Sequence, residues 1–174
     1  MVADGFDINV FRDRRLPNPL GRHPKLVPEI LASVPFPLHL DTVIALDGRA
    51  VYTEYVPDAP QLGWISFGEV FATLTPVSND SALFANNAEM VINARCKLME
   101  EGLVRMRINY FLGDTALYHT YTGVLGPMDM ASINTITGPA ASVKIKSGRI
   151  DELTFAVEAN KHRSWGKMRF YYHD

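Results

Sequence analysis

The chain has 174 residues, with 17 basic and 19 acidic side chains and a formal net charge of −2. This suits one domain with a sizeable core and argues against nucleic acid or an anionic membrane as the main partner. Cys96 is the single cysteine, so no disulfide can form within the chain. Charges run throughout "MVADGFDINVFRDRRLPNPLG", and no stretch approaches the ~20 apolar residues of a spanning helix, so the expectation is a soluble, cytoplasmic protein.

Residues 1–36 read as an extended arm. Pro17, Pro19, Pro24, Pro28 and Pro35 fall there, with Pro37 just beyond. Proline lacks an amide donor and restricts the residue before it, which excludes a central strand or a long helix. One short helix is predicted in "PKLVPEILASV", with Leu26, Ile30 and Leu31 on one face. From residue 38 the pattern turns strand-like, with candidates at 38–46, 50–56, 64–75, 88–99, 103–112, 115–124, 130–137, 141–147, 152–159 and 167–173. Turn signals such as Asp47-Gly48, "EEG" and Gly113-Asp114 separate most of them. The expected fold is all-β: residues 37–174 as a single antiparallel barrel of about eight to ten strands, preceded by the proline-rich arm and at most one short helix. The layout is similar in architecture to lipocalin-like (calycin-like) barrels. The early G-x-W of lipocalins is absent, and the nearest stretch is Leu62-Gly63-Trp64.

Three hairpins follow from the turn signals. A type I′ turn at Asp47-Gly48 pairs Asp41 with Glu54 and leaves His39 on the same face. Like charges directly opposed across a sheet are unfavourable, which makes His39, Asp41 and Glu54 reserve acid/base candidates. A three-residue loop Glu100-Glu101-Gly102 puts Ile92, Ala94, Cys96 and Leu98 on one face and Asn93, Arg95 and Lys97 on the other. The second strand contributes Val104, Met106, Ile108 and Tyr110 to the first face, and Arg105, Arg107 and Asn109 to the second. A two-residue turn at Gly113-Asp114 then sets His119 opposite Ile108 and Tyr121 opposite Met106, inside the barrel.

His119 and Tyr121, with Tyr110, are the catalytic candidates. An imidazole among apolar neighbours is a general base near neutral pH, and a buried phenol can donate to a developing oxyanion. Met106, Ile108, Cys96, Trp165 and Tyr172 are the candidate substrate-binding residues. The ordinary alternative is a core His and Tyr satisfied by each other or by the backbone. The basic face of Arg95, Lys97, Arg105 and Arg107 reads as solvated exterior. No phosphate-binding glycine loop, G-x-S-x-G, H-E-x-x-H or zinc cysteine pair occurs, so no cofactor and no metal are expected. Two functions fit. One is a cofactor-independent lyase, isomerase or cyclase acting on a largely apolar or aromatic small molecule inside the barrel. The other is a non-catalytic carrier or sensor of such a ligand. Phe6, Ile8, Val10 and Phe11 in the arm need cover, which points to a homodimer or higher homo-oligomer.

Overall fold

The computed structural model describes residues 1–16 and 25–174. In chain order the elements are β1 (Val2–Asp4), β2 (Asp7–Asp13), α1 (Val27–Ala32), β3 (His39–Leu40), β4 (Val43–Tyr55), β5 (Gly63–Thr75), β6 (Val77–Ser78), α2 (Ser81–Ala85), β7 (Glu89–Leu98), β8 (Gly102–Phe111), β9 (His119–Leu125), β10 (Met128–Asp129), a 3₁₀ turn (Met130–Ile133), α3 (Asn134–Ala141), β11 (Arg149–Ala159) and β12 (Ser164–His173). The protein is mostly β, and its main sheet curls strongly into a half-barrel. From edge to edge that sheet runs β1 and β2, β4, β5, β7, β8, β9, β11, β12, with β10 also on β11. Among the described residues nothing pairs β12 with β1 or β2, so the expected closed barrel is not formed.

The N-terminal segment departs most from expectation. Residues 1–13 are not a free arm; β1 and β2 lie parallel to β4, so the sheet is not purely antiparallel. Pro17, Pro19 and Pro24 of the expected arm lie outside the described residues. The hairpin expected at Asp47-Gly48 is absent because β1 and β2 pair along the edge of β4 on both sides of that dipeptide. Its two strands are one long β4, and Asp47-Gly48 forms a bulge in the pairing with β5, Asp47 taking a positive φ of 47°. The N-terminal segment is built to match this bulge. Gly5, at φ 68°, kinks between β1 and β2. Gly5 N–H donates to the Leu46 carbonyl at 3.1 Å, and Arg49 N–H donates to the Phe6 carbonyl at 2.8 Å. The Phe6 ring lies over Gly48, where a Cβ would stand 2.0 Å from Cζ. Backbone bonds from a distant strand thus outweigh a local turn preference.

The next two hairpins keep the expected faces and shift by two residues. In the first, Leu98 pairs Gly102 and Ile92 pairs Ile108, so the loop is Met99-Glu100-Glu101, with Met99 and Glu100 at positive φ. In the second, Tyr110 pairs His119 and Ile108 pairs Tyr121. The tight turn is replaced by a wider loop because the Asp114 carboxylate accepts from Ala116 N–H at 2.7 Å and Tyr118 N–H at 3.2 Å. Gly113 is pressed against the end of α2, where a Cβ would meet the Phe84 carbonyl oxygen at 2.0 Å.

The strands expected at 130–137 and 141–147 are replaced by the 3₁₀ turn, α3 and irregular chain. Asp129 caps the turn by accepting from Ala131 N–H at 2.7 Å. Asp80 caps α2 in the same way, from Ala82 N–H at 2.8 Å. In α1, Glu29 accepts from Leu26 N–H at 2.9 Å, and Leu31 is buried while Ile30 faces water, so the expected shared face of Leu26, Ile30 and Leu31 is incomplete.

The short helices plug the two ends of the curl. At one end Leu31, Met90, Tyr110 and Leu112 are buried beneath side chains of α1 and α2. At the other, Leu125, Met128 and Ile150 are buried with Leu98, Met99, Met130 and Ile133. Between them the inner face is only partly covered. The accessible surface is 10972 Å², against about 8,500 Å² for a folded monomer of this mass. Packing at the bulge makes a direct prediction. Gly48→Ala should expel the Phe6 ring and lower unfolding free energy by about 1–3 kcal/mol in chemical denaturation. In the double variant Phe6→Ala/Gly48→Ala the new methyl occupies the vacated space, so the two effects should be less than additive.

Candidate functional site

The inner face of the half-barrel is assembled by period-two alternation along six neighbouring strands, β5, β7, β8, β9, β11 and β12. Successive cross-strand neighbours are Ala72, Ala94, Met106, Gly123, Phe155 and Met168. The next row carries Leu74, Ile92, Ile108, Tyr121, Val157 and Gly166. Strand glycines mark close approach here. The Phe155 ring crosses Gly123, where a Cβ would fall 2.4 Å from Cζ. A hollow of about 350 Å³ opens between β9, β11 and β12, lined by Tyr121, Phe155, Val157, Gly166 and Met168 together with Ser164, Trp165 and Lys167.

His119 and Tyr110 sit side by side where this floor meets the plugged end. Each is only 8% exposed. Their rings are tilted with centroids 5.2 Å apart, and Tyr121 stacks on the other side of His119 at 6.2 Å. Tyr121 in turn touches Phe155, at 6.3 Å between centroids. His119 Nδ1 lies 2.8 Å from the Leu117 carbonyl oxygen. A carbonyl only accepts, so Nδ1 carries the proton in this bond and Nε2 of the neutral ring is left as an acceptor. Among the described residues neither Nε2 nor the Tyr110 hydroxyl has a hydrogen-bond partner. Burial raises the Tyr110 pKa above the usual phenol range, so that hydroxyl remains a donor.

The other candidates distribute as follows. Cys96, Met106 and Ile108 share the inner face, and burial pushes the Cys96 thiol up, so it is a poor nucleophile. Tyr172 lies on the inner side of β12, opposite Ile150, and is 61% exposed. Trp165 also lines the hollow between β9, β11 and β12. It pairs Glu158 on the outer face, with the Arg163 guanidinium 5.3 Å from its ring centroid. The reserve group is dispersed because its hairpin does not form. His39 pairs Ser78 beyond the far end of β5, and its Nε2 lies 3.3 Å from Asp41, which is 96% exposed. Glu54 is buried opposite Gly63 at the start of β5, in an ion pair with Arg14 at 2.8 Å and accepting from the Tyr52 hydroxyl at 2.5 Å. Its like-charge conflict with Asp41 never arises. No group of three or more metal-ligating side chains occurs among the described residues.

Sequence reasoning missed Phe155, Val157 and Gly123 as parts of this face. The alternation Leu153, Phe155, Val157, Ala159 was the available signal for the first two. The arrangement defines a class: a curled sheet with one continuous apolar inner face, open on one side and carrying a single polar cluster at its closed end. Comparison with protein-family models, with curated proteins and with solved structures finds no significant match. No helix of the described residues is long and apolar enough to cross a membrane.

The buried thiol and phenols set a pH dependence. Cys96 and Tyr110 are raised by burial, and Tyr52 is raised by burial first and by its bond to Glu54 second. These groups keep their protons longer in the folded state than in the unfolded one. Their contribution to stability is therefore whole below the unfolded thiol and phenol values, about 8.5 and 10, and is lost as pH rises through the folded ones. Denaturation midpoints should fall progressively above about pH 9, and the fall should be shallower in Tyr110→Phe.

Proposed function

We propose that this protein binds a small, largely apolar molecule along the inner face of the half-barrel, with one polar end of the ligand held at His119 and Tyr110. The observation that carries this reading is the pair of unpartnered polar atoms, His119 Nε2 and the Tyr110 hydroxyl, on residues more than nine-tenths buried at the end of an apolar floor. Neither atom is sealed from the open floor, so a ligand offering one donor and one acceptor can take the place of water at both. The hollow beside Tyr121 accounts for the apolar part of the ligand, since binding sites are predominantly apolar with few polar groups that orient. Carriage is favoured over catalysis because the floor is evenly apolar and open on one side, so water is not shut out of it.

The test uses a neutral aromatic probe, 1-aminoanthracene, followed by fluorescence. It should bind with micromolar affinity. Val157→Trp, which fills the hollow, should weaken it at least tenfold. Met168→Glu, on a side chain 67% exposed and therefore harmless to folding, should do the same by placing a charge at the rim. Absence of binding, or equal binding by both variants, ends this reading.

A second reading rests on the His119 tautomer. With Nδ1–H committed to Leu117, Nε2 is the ring atom left to exchange a proton, beside two phenols, the arrangement of a cofactor-free isomerase, cyclase or lyase that abstracts a proton and steadies the oxyanion left behind. In that case His119→Ala should lower turnover by ~10²–10⁴-fold, and Tyr121→Phe should lower it less. Both should leave 1-aminoanthracene binding within threefold, which separates chemistry from binding.

A further inference from the structure

We propose that the two free edges of the sheet are complementary to each other, so that β12 of one copy docks beside β2 of the next and copies of this chain associate head to tail. β12 is a ten-residue edge strand in which every residue is exposed, and among the described residues its outer row of backbone N–H and C=O groups has no partner. A long exposed edge of this kind is a template for another strand. Its inner side carries Met168, Phe170 and Tyr172. Its outer side carries Lys167 and Arg169, opposite Ala156 and Thr154 and without an ion pair among the described residues.

The opposite edge is its counterpart. The inner side of β2 carries Ile8 and Val10, both about half exposed, level with Ala50 and Tyr52 of β4, and then Arg12 level with Glu54. The outer side of this edge carries Asp4 and Asp7, neither of which makes an ion pair among the described residues. Strand direction agrees as well. β2 is parallel to β4, and each step from β4 through β5, β7, β8, β9 and β11 to β12 is antiparallel, so β12 runs the same way as β2. A neighbouring copy can therefore present β2 to β12 in parallel, apolar side to apolar side and acid to base.

Self-pairing is disfavoured by the same charges. The two face-matched antiparallel registers of β12 on β12 with the greatest overlap oppose Lys167 to Arg169, or Arg169 to itself. Centred pairing of β2 on β2 opposes Asp7 to Asp13. Like charges directly opposed are destabilising. The contact is thus heterologous, and repetition generates a ring or an open chain of copies whose inner apolar faces run on from one to the next.

Sedimentation velocity over a hundredfold range of protein concentration tests this. The expected result is a concentration-dependent series of species above the monomer, weakened at high salt. Charge reversal on either edge, Lys167→Glu with Arg169→Glu, or Asp4→Lys with Asp7→Lys, should lower the association constant at least tenfold. The chain carrying all four changes should associate again. As a check independent of charge, in a Cys96→Ser background, Val10→Cys protein mixed with Phe170→Cys protein should form a disulfide between unlike partners faster than either forms with itself. A monomer throughout, a dimer insensitive to both reversals, or like-with-like disulfides would overturn the proposal.

Discussion

A sheet whose strands all keep their apolar residues on one face must curl round that face to cover it, and the other features of this protein follow from how far the curl proceeds. From β4 to β12 the alternation is kept almost without interruption. Every cross-strand step therefore adds to a single apolar surface. Full closure would need a hydrogen-bonded seam between β12 and the N-terminal strands. The described residues form none, so helices and loops take over the ends and leave the middle as an open floor.

The N-terminal strands hold this arrangement on one side. They run parallel to β4, a direction that a hairpin cannot supply. Their kink at Gly5 and the bulge at Gly48 are one device, locked by Phe6. A bulge strengthens local twist, so this contact also contributes to the curvature of β4 against β5. Local energetics and overall shape meet in a single ring stacked on a glycine.

The polar cluster belongs to the same logic. His119 and Tyr110 are where the apolar floor reaches the plugged end; their rings pack on each other, and Tyr110 is also part of the cluster that Leu31 and Met90 bury. A satisfied core histidine would have both ring nitrogens engaged. Here one nitrogen is bound to the backbone and the other has no hydrogen-bond partner among the described residues. The outer face shows the contrast. Arg95 and Arg105 stand directly opposed, with Arg95 leaning over Phe71 at 5.0 Å, because water on that side screens what the inner face would not tolerate.

The amino-acid sequence by itself determined which residues share a face. Period-two alternation survives any even shift of register, so Ile108, Tyr110, His119 and Tyr121 stayed together although both hairpins slid by two residues. It also determined the mostly β character of the chain and the positions of most strands. Tertiary structure decided what depends on partners distant in the chain. Asp47-Gly48 reads locally as a turn, yet the edge of β4 was already claimed by residues 1–13, and their backbone bonds made it a bulge. Gly113-Asp114 likewise reads as a tight turn, and the packing of α2 against Gly113 opened it. Residues 130–141 have strand-like composition, but the end of the curl needed a plug, and Asp129 was placed to cap one. Whether the sheet closes was also beyond local pattern. Closure is a matter of which edges meet, and alternation is blind to edges.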